Sequence, residues 1–265
     1  MASSDTYPPH PRATLNRLKA RGKYDYATIN TLINASPVLT VSFNSTDPSD
    51  PFPTALPMIG QMGLFSNPTA DPTSNALDLY LHGHVAARLM RLPTTTEGAQ
   101  GIPVCVSATH LDGYVLALTP FAHSMNYRSV VLHGYATAVT DPDEKMWALT
   151  LITDGVIPTR WDNSRTPPTD AEMKSTTVLK VTVASASAKV RDYGVGDERR
   201  DLKDEDVMNR VWSGVLPTYL HVGEPVPGEN NRVQKVPAYI EEWRKRVNGE
   251  GERYSKTVAG QSKKK

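Results

Sequence analysis

Residues 122–139 read "AHSMNYRSVVLHGYATAV", and the fold turns on how this stretch is taken. Its second half alternates with the period of a strand, placing Val131, His133 and Tyr135 on one side. Its first half crowds Ser124, Asn126, Tyr127, Arg128 and Ser129 into six residues, all able to hydrogen-bond. Taken alone, the polar half fits two readings. Its Ser and Asn side chains could staple a turn, or its donors and acceptors could line the rim of a flat, heteroatom-rich ligand.

Outward from there the chain reads mostly as strands. "VLTVSF" (38–43), "TALPMIGQM" (54–62), "LDLYLHG" (77–83) and "TTVLKVTVASASAKVRDY" (176–193) each carry strand patterning. "IPVCVSATHLDGYVLAL" (102–118) reads as two strands reversed by a turn at Asp112-Gly113. Helices are expected over "YDYATINTLINAS" (24–36), with Ile29, Leu32 and Ile33 at helical spacing, and over "HVAARLMRLP" (84–93), stopped by Pro93. "DPDEKMWALTLITDG" (141–155) carries Asp141 as N-cap, Pro142 at the first helical position and Glu144 nearby. A short helix is expected near Glu241–Arg246. Strands and helices do not alternate regularly, which argues for an antiparallel barrel or sandwich in an α+β setting rather than a doubly wound sheet.

Composition narrows the class. The net charge of +1 over 265 residues gives no field that would draw nucleic acid or membrane. No run of about 18 apolar residues occurs, so no membrane span is expected, and the N-terminus lacks the apolar core of a secretory signal. Cys105 is the single cysteine, which excludes an intramolecular disulfide and a cysteine-based zinc site and suits a reducing, cytoplasmic setting. Residues 1–23 read as a flexible arm, 24–220 as one domain and 221–265 as an extension with a basic tail.

Phosphate-loop, dinucleotide, serine-hydrolase and zincin motifs are missing. The chemistry-bearing candidates are four. In "LYLHGHVAARLMR" (79–91) a strand ending at His82, a close turn at Gly83 and a helix start offer an anion site, with Arg88 as a guanidinium fork and Arg91 on a similar face. The polar half of 122–139 is the second. In "SASAKVRDY" (185–193), Lys189 and Arg191 alternate outward at a strand end, as ordinary surface charges do. In "VWSGVLP" (211–217), Trp212 reads either as a core residue or as a ring wall. His82, His84, His123 and His133 raise a metal site, but no carboxylate stands near in sequence to orient the rings, so no metal is expected.

Together with "RGKYDYATINTLINASPVLTVSF" and "DPDEKMWALTLITDGVIPTRW", these segments, in this order over about residues 12–217, resemble the pyridoxamine 5′-phosphate oxidase-like, FMN-binding split-barrel proteins. Within that family the resemblance is to the branch that includes the nitroimidazole-resistance flavoproteins. It implies an antiparallel six-stranded split β-barrel with flanking helices, forming a homodimer with FMN at the subunit interface. By position, Met58 and Ile59 would run along the ring edge. His82, Gly83 and His84 would begin the phosphate turn, with Arg88 gripping the phosphate. Asn126, Tyr127, Arg128 and Ser129 would line the flavin or its ribityl chain, and Lys189, Arg191 and Trp212 would reach it from further away. The implied function is an FMN-dependent oxidoreductase passing electrons from NADPH or NADH to a small-molecule acceptor. No side chain is assigned as catalytic. The alternatives are a non-catalytic flavin carrier, a deazaflavin protein, or a haem-binding member with His82 or His84 as ligand. Near the C-terminus, His221 and Arg232 lack the substrate-phosphate signature of the true pyridoxamine-phosphate oxidases, so that activity is not expected.

Overall fold

A computed structural model describes residues 5–45, 47–92 and 100–262. Pro93, read above as a helix stop, and the end of the basic tail lie outside these residues. In chain order the elements are β1 (Gly22–Lys23), α1 (Tyr26–Asn34), β2 (Leu39–Phe43), β3 (Thr54–Met58), β4 (Gly60–Gly63), β5 (Asp78–His84), α2 (Arg88–Arg91), β6 (Ile102–Leu116), β7 (Ser124–Ala138), α3 (Pro142–Val156), α4 (Asp170–Ser175), β8 (Thr176–Arg191), α5 (Glu205–Arg210), β9 (Gly214–Pro217) and α6 (Ala238–Gly260). The strands form a sheet in the order β3-β2-β6-β7-β8-β5-β4, with β1 paired to β8 and β9 to β6. The registers of β1 with β8, β2 with β3 and β6, β4 with β5, β5 with β8, and β6 with β9 are all antiparallel. The mainly antiparallel class is as read from sequence, but nine strands replace the six expected. β1 and β9 are two and four residues long, too short to show an alternation, and β3 and β4 divide the run read as one strand over 54–62.

The chain forms two compact units, one from the described parts of 1–109 and 129–189, the other from 110–128 and 190–265. In the first, Leu39, Val41 and Phe43 of β2 are buried while Thr40 between them is exposed. The period of two also splits β5 between two cores. Leu79 and Leu81 join the main one with Val106, Leu132 and Val181. Tyr80 faces the other way, into a cluster with Ala148, Ile152 and Val178 beneath α3. There Trp147 meets the Tyr80 ring edge-on at 5.1 Å, and Glu144 accepts hydrogen bonds from the Tyr80 hydroxyl at 2.7 Å and Lys180 at 2.8 Å.

Helix starts follow their capping residues. Asp141 accepts from the amides of Asp143 and Glu144, and Thr169 and Glu172 form a reciprocal capping box on α4. Asp25 accepts from Thr28 N at 2.8 Å, starting α1 so that Ile29, Leu32 and Ile33 fall on its buried face. Burial alone would raise the Asp25 pKa, but the hydrogen bonds to Thr28 together bring it below the ordinary value. Asp25→Ala is expected to cost about 1 kcal/mol, read as a lower urea midpoint at unchanged slope. An unmoved midpoint would mean that the cap contributes nothing.

Residues 5–23, read from sequence as an arm, are held through Tyr7, which is 3% exposed. Its hydroxyl donates to Asn30 Oδ1 at 2.7 Å and accepts from Leu77 N at 3.2 Å. Asn30, fully buried, donates in turn to Pro72 O and Asn75 O in the loop before β5.

In the second unit the reversal expected at Asp112-Gly113 does not occur. β6 runs straight through it, and Gly113 to Leu116 pair with Pro217 to Gly214 of β9. The Asp112 side chain is buried and takes both bonds of Arg128, so it is not available to cap a turn. The closing helix expected near Glu241–Arg246 is the 23-residue α6. Asn248 from its middle clamps Val222 by both backbone groups. No helix among the described residues is long and apolar enough to cross a membrane.

Candidate functional site

A cavity of about 340 Å³ opens in the first unit between the end of β3 and the end of β5. Leu56, Pro57, Met58 and Ile59 form one wall, His82 and Gly83 the floor, and Ala87, Leu89 and Met90 the other wall. Gly83 is required by this packing, since a Cβ there would come within 2.8 Å of the Met90 methyl. His82 is the one polar side chain in the lining. Its Nδ1 is buried without a hydrogen-bond partner, and burial lowers its pKa, which favours the neutral ring. An orphaned buried polar atom of this kind costs about 1–3 kcal/mol, a cost relieved by a ligand that hydrogen-bonds it.

The segment after β5 differs from the reading above. The strand continues to His84, paired with Thr176, and Val85 N still reaches Ser175 O at 2.9 Å. The helix expected over 84–93 is therefore only Arg88–Arg91. Four residues align too few peptide dipoles for an anion site at the helix start, and the residues before it form a locked bend. His84 holds it by accepting from Ala86 N at 3.1 Å, and Arg91 closes it by donating to Ala86 O at 2.7 Å. Arg88 is less committed. Its guanidinium donates to Ser45 Oγ at 3.1 Å and lies 3.6 Å from Asp50, with its side chain 52% exposed. A pair this long and exposed is worth about 0–1 kcal/mol, which a phosphate can outbid.

The structure thus gathers Met58, Ile59, His82 and Gly83 around one cavity, with His84 and Arg88 in the bend and helix that supply its far wall. Ser129 and Lys189, also in the first unit, meet where Ser129 Oγ donates to Lys189 O at 3.3 Å. Asn126, Tyr127, Arg128, Arg191 and Trp212 belong to the second unit. There Arg128 grips Asp112 through bonds of 2.7 and 2.9 Å and stacks 4.1 Å over the Tyr254 ring. Arg191, read as an outward charge, is 3% exposed. It donates to Asn126 Oδ1, Tyr193 O and Gly194 O. Trp212 is 62% exposed, which corrects the core reading of that residue. Leu56, Pro57, Ala87, Leu89 and Met90 were not singled out from sequence, because an aliphatic side chain looks the same in a core and in a pocket wall. Among the described residues no group of three or more His, Cys, Asp or Glu side chains is placed to hold a metal ion.

This lining fits a flavin. Its walls are apolar as a flat ring requires, one buried imidazole nitrogen lacks a partner, and a loosely held guanidinium stands on the adjoining helix for a phosphate. The family model described as pyridoxamine 5′-phosphate oxidase matches residues 25–190. The flavocytochrome Anf3 from Azotobacter vinelandii is 26% identical, covers 90% of this chain and 99% of its own, and superposes with a TM-score of 0.71. A FAD and heme binding protein from Mycobacterium smegmatis is also 26% identical, covers 84% and 97%, and gives 0.66. A putative 5-nitroimidazole antibiotic resistance protein from Bacteroides thetaiotaomicron reaches 20% identity over 64% of this chain and 86% of its own, with a TM-score of 0.44. No curated protein matches the sequence. With more than half of its 265 residues matched in one continuous block, the chain belongs to the pyridoxamine 5′-phosphate oxidase-like split-barrel family.

Proposed function

We propose that the protein is a flavin-binding redox protein of the flavocytochrome kind, which holds a flavin in the Met58–His82 cavity and a haem elsewhere. The observation that carries the flavin half is the cavity itself. It is an apolar slot with a single imidazole whose Nδ1 is buried, flanked by an under-committed arginine. The haem half is supported by the two neighbours at 26% identity, a flavocytochrome and a FAD and heme binding protein, each matched over nearly its full length. FMN is the flavin implied by the sequence resemblance, and FAD is the one named for the mycobacterial neighbour.

Bound flavin would accept a hydride from NADPH or NADH and release electrons to a small acceptor or to haem. The chain's own part is to cover the ring with Met58, Leu89 and Met90, to hydrogen-bond its edge through His82, and to neutralise phosphate with Arg88. Ile59, 39% exposed at the rim, is a natural place for a second copy of the chain to close the cavity, which supports the homodimer reading.

The test is spectroscopic. Full-length protein should arrive with, or take up, a flavin, identified by mass after release, and the flavin band should bleach on anaerobic addition of NADPH or NADH. Arg88→Ala should weaken flavin binding by roughly ten- to a hundredfold, the value of one charge-assisted phosphate contact. It should leave riboflavin, which has no phosphate, unaffected. Protein that takes up no flavin sinks the assignment, and equal weakening for riboflavin removes Arg88 from the phosphate.

A further inference from the structure

The loop that joins β2 to β3 in the first unit holds Arg88 and then carries an aromatic ring into solvent. Phe52, 75% exposed, is the most exposed large hydrophobic residue among the described residues of that unit. Pro51 and Pro53 flank it with fixed φ, and Phe52 N donates to Asp50 Oδ1 at 3.2 Å. Asp50 is tied in turn, its N–H donating to Asp47 O at 3.0 Å, while Asp47 Oδ1 accepts from Ser49 N and Ser49 Oγ. A loop stiffened this way presents its groups with little freedom left to lose on binding. The Asp50 carboxylate stands 3.6 Å from the Arg88 guanidinium. The Phe52 ring follows two residues later, within about 7 Å of chain.

We propose that Asp50 and Phe52 form a subsite for the adenosine half of a flavin dinucleotide, so that the flavin held is FAD rather than FMN. The inference rests on the flavin reading of the Met58–His82 cavity and on Arg88 as its phosphate partner. Adenosine supplies what the two loop side chains lack. Its ribose hydroxyls donate, and the Asp50 carboxylate, 35% exposed, only accepts. Its base is a flat π surface, which stacks on an exposed aromatic ring. Phosphate, ribose and base follow one another in the nucleotide as Arg88, Asp50 and Phe52 follow one another in contact. FMN fits the loop less well. It ends in a phosphate monoester of charge about −1.5 to −2, which the Asp50 carboxylate beside Arg88 would face directly. In FAD each phosphate carries a single charge and the ribose stands beyond, so Asp50 meets hydroxyls as well as phosphate. Arg91 does not remove the difference, because its Nε donates to Ala86 O at 2.7 Å.

Three flavins are the probes. Full-length protein, freed of cofactor, is titrated by calorimetry with FAD, FMN and riboflavin. Wild type is expected to bind FAD more tightly than FMN. Phe52→Ala should weaken FAD by roughly five- to a hundredfold, the loss of one base stack, and leave FMN unchanged. Phe52→Tyr keeps an aromatic ring and should keep the FAD affinity. Asp50→Asn, which retains an acceptor for Phe52 N, should weaken FAD and tighten FMN, closing the gap between them from both sides. FMN bound as tightly as FAD by wild type would overturn the subsite and leave the flavin cavity standing. Equal weakening of all three flavins in Phe52→Ala would also overturn it, by showing that the residue acts on the ring cavity. Unchanged FAD affinity in Phe52→Ala, with more NADPH needed to bleach the bound flavin, would give the ring to the electron donor and overturn the FAD subsite. Protein that binds none of the three sinks the cavity reading, and the subsite with it.

Discussion

Asp112→Ala is expected to destabilise the protein by about 3–5 kcal/mol, because it strips a buried ion pair of one partner. Asp112 is 4% exposed and takes two bonds from the Arg128 guanidinium, at 2.7 and 2.9 Å. The same guanidinium lies over the Tyr254 ring of α6. Burial works against the Arg128 charge, and the hydrogen bonds and charge of Asp112 more than offset it. Without the carboxylate the charge is left partly buried with only the ring for company. Asp112→Asn keeps one acceptor and should cost less. The double variant Asp112→Ala with Arg128→Met should cost less than the two single changes added together. Urea unfolding checks all four proteins at once. A midpoint for Asp112→Ala within 1 kcal/mol of wild type would mean that the pair does not form in solution.

Tyr7→Ala is expected to cost a similar amount, about 3–5 kcal/mol, as buried aromatic truncations do. Its ring packs edge-on to Tyr26 at 4.8 Å, and its hydroxyl joins Asn30 and Leu77. Tyr7→Phe removes the hydroxyl alone and should cost about 1–3 kcal/mol, the penalty of leaving buried Asn30 and Leu77 groups unmade. The two variants separate by pH. Desolvation pushes the Tyr7 pKa up to about 12, against about 10 in the unfolded chain. The native state thus holds the phenol proton more tightly, so this contribution is whole below about pH 10 and is lost as pH climbs towards 12. Wild type should lose stability across that window more steeply than Tyr7→Phe. Tryptic digestion supplies a second readout, with cleavage at Arg12, Arg17 and Arg21 accelerated in Tyr7→Ala. Parallel alkaline curves for wild type and Tyr7→Phe would show that the hydroxyl is solvated.

The features legible in the sequence are those with a local cause. Asp25 and Asp141 sit where caps belong, and α1 and α3 begin there. The alternation through Val131, His133 and Tyr135 needs no knowledge of neighbours, and β7 follows it. Misreadings arise where a distant residue decides the outcome. Asp112-Gly113 has turn composition, but Arg128, sixteen positions on, claims the carboxylate. Arg191 has the look of a surface charge until Asn126, sixty-five positions earlier, accepts from it in the interior. Gly249 and Gly251 break the helical signal of α6, yet the helix runs through both. Of the Met58–His82 cavity, His82 and Gly83 are marked by the local sequence as well as by the family resemblance, and Met58 and Ile59 by the resemblance alone. The rest of the walls, Leu56, Pro57, Ala87, Leu89 and Met90, are not marked, because no local pattern distinguishes a leucine that faces a cavity.

The bond from Tyr7 to Leu77 spans seventy positions, and this has a consequence for how the chain is made. A ribosome adds about 5–20 residues per second, so several seconds pass between the emergence of Tyr7 and that of its partner. Throughout that interval the Tyr7 hydroxyl is without Leu77, and α1 has only the strands up to β4 to pack against. A chaperone that shields nascent chains would find a target here, and release would be timed by the arrival of the first residues of β5.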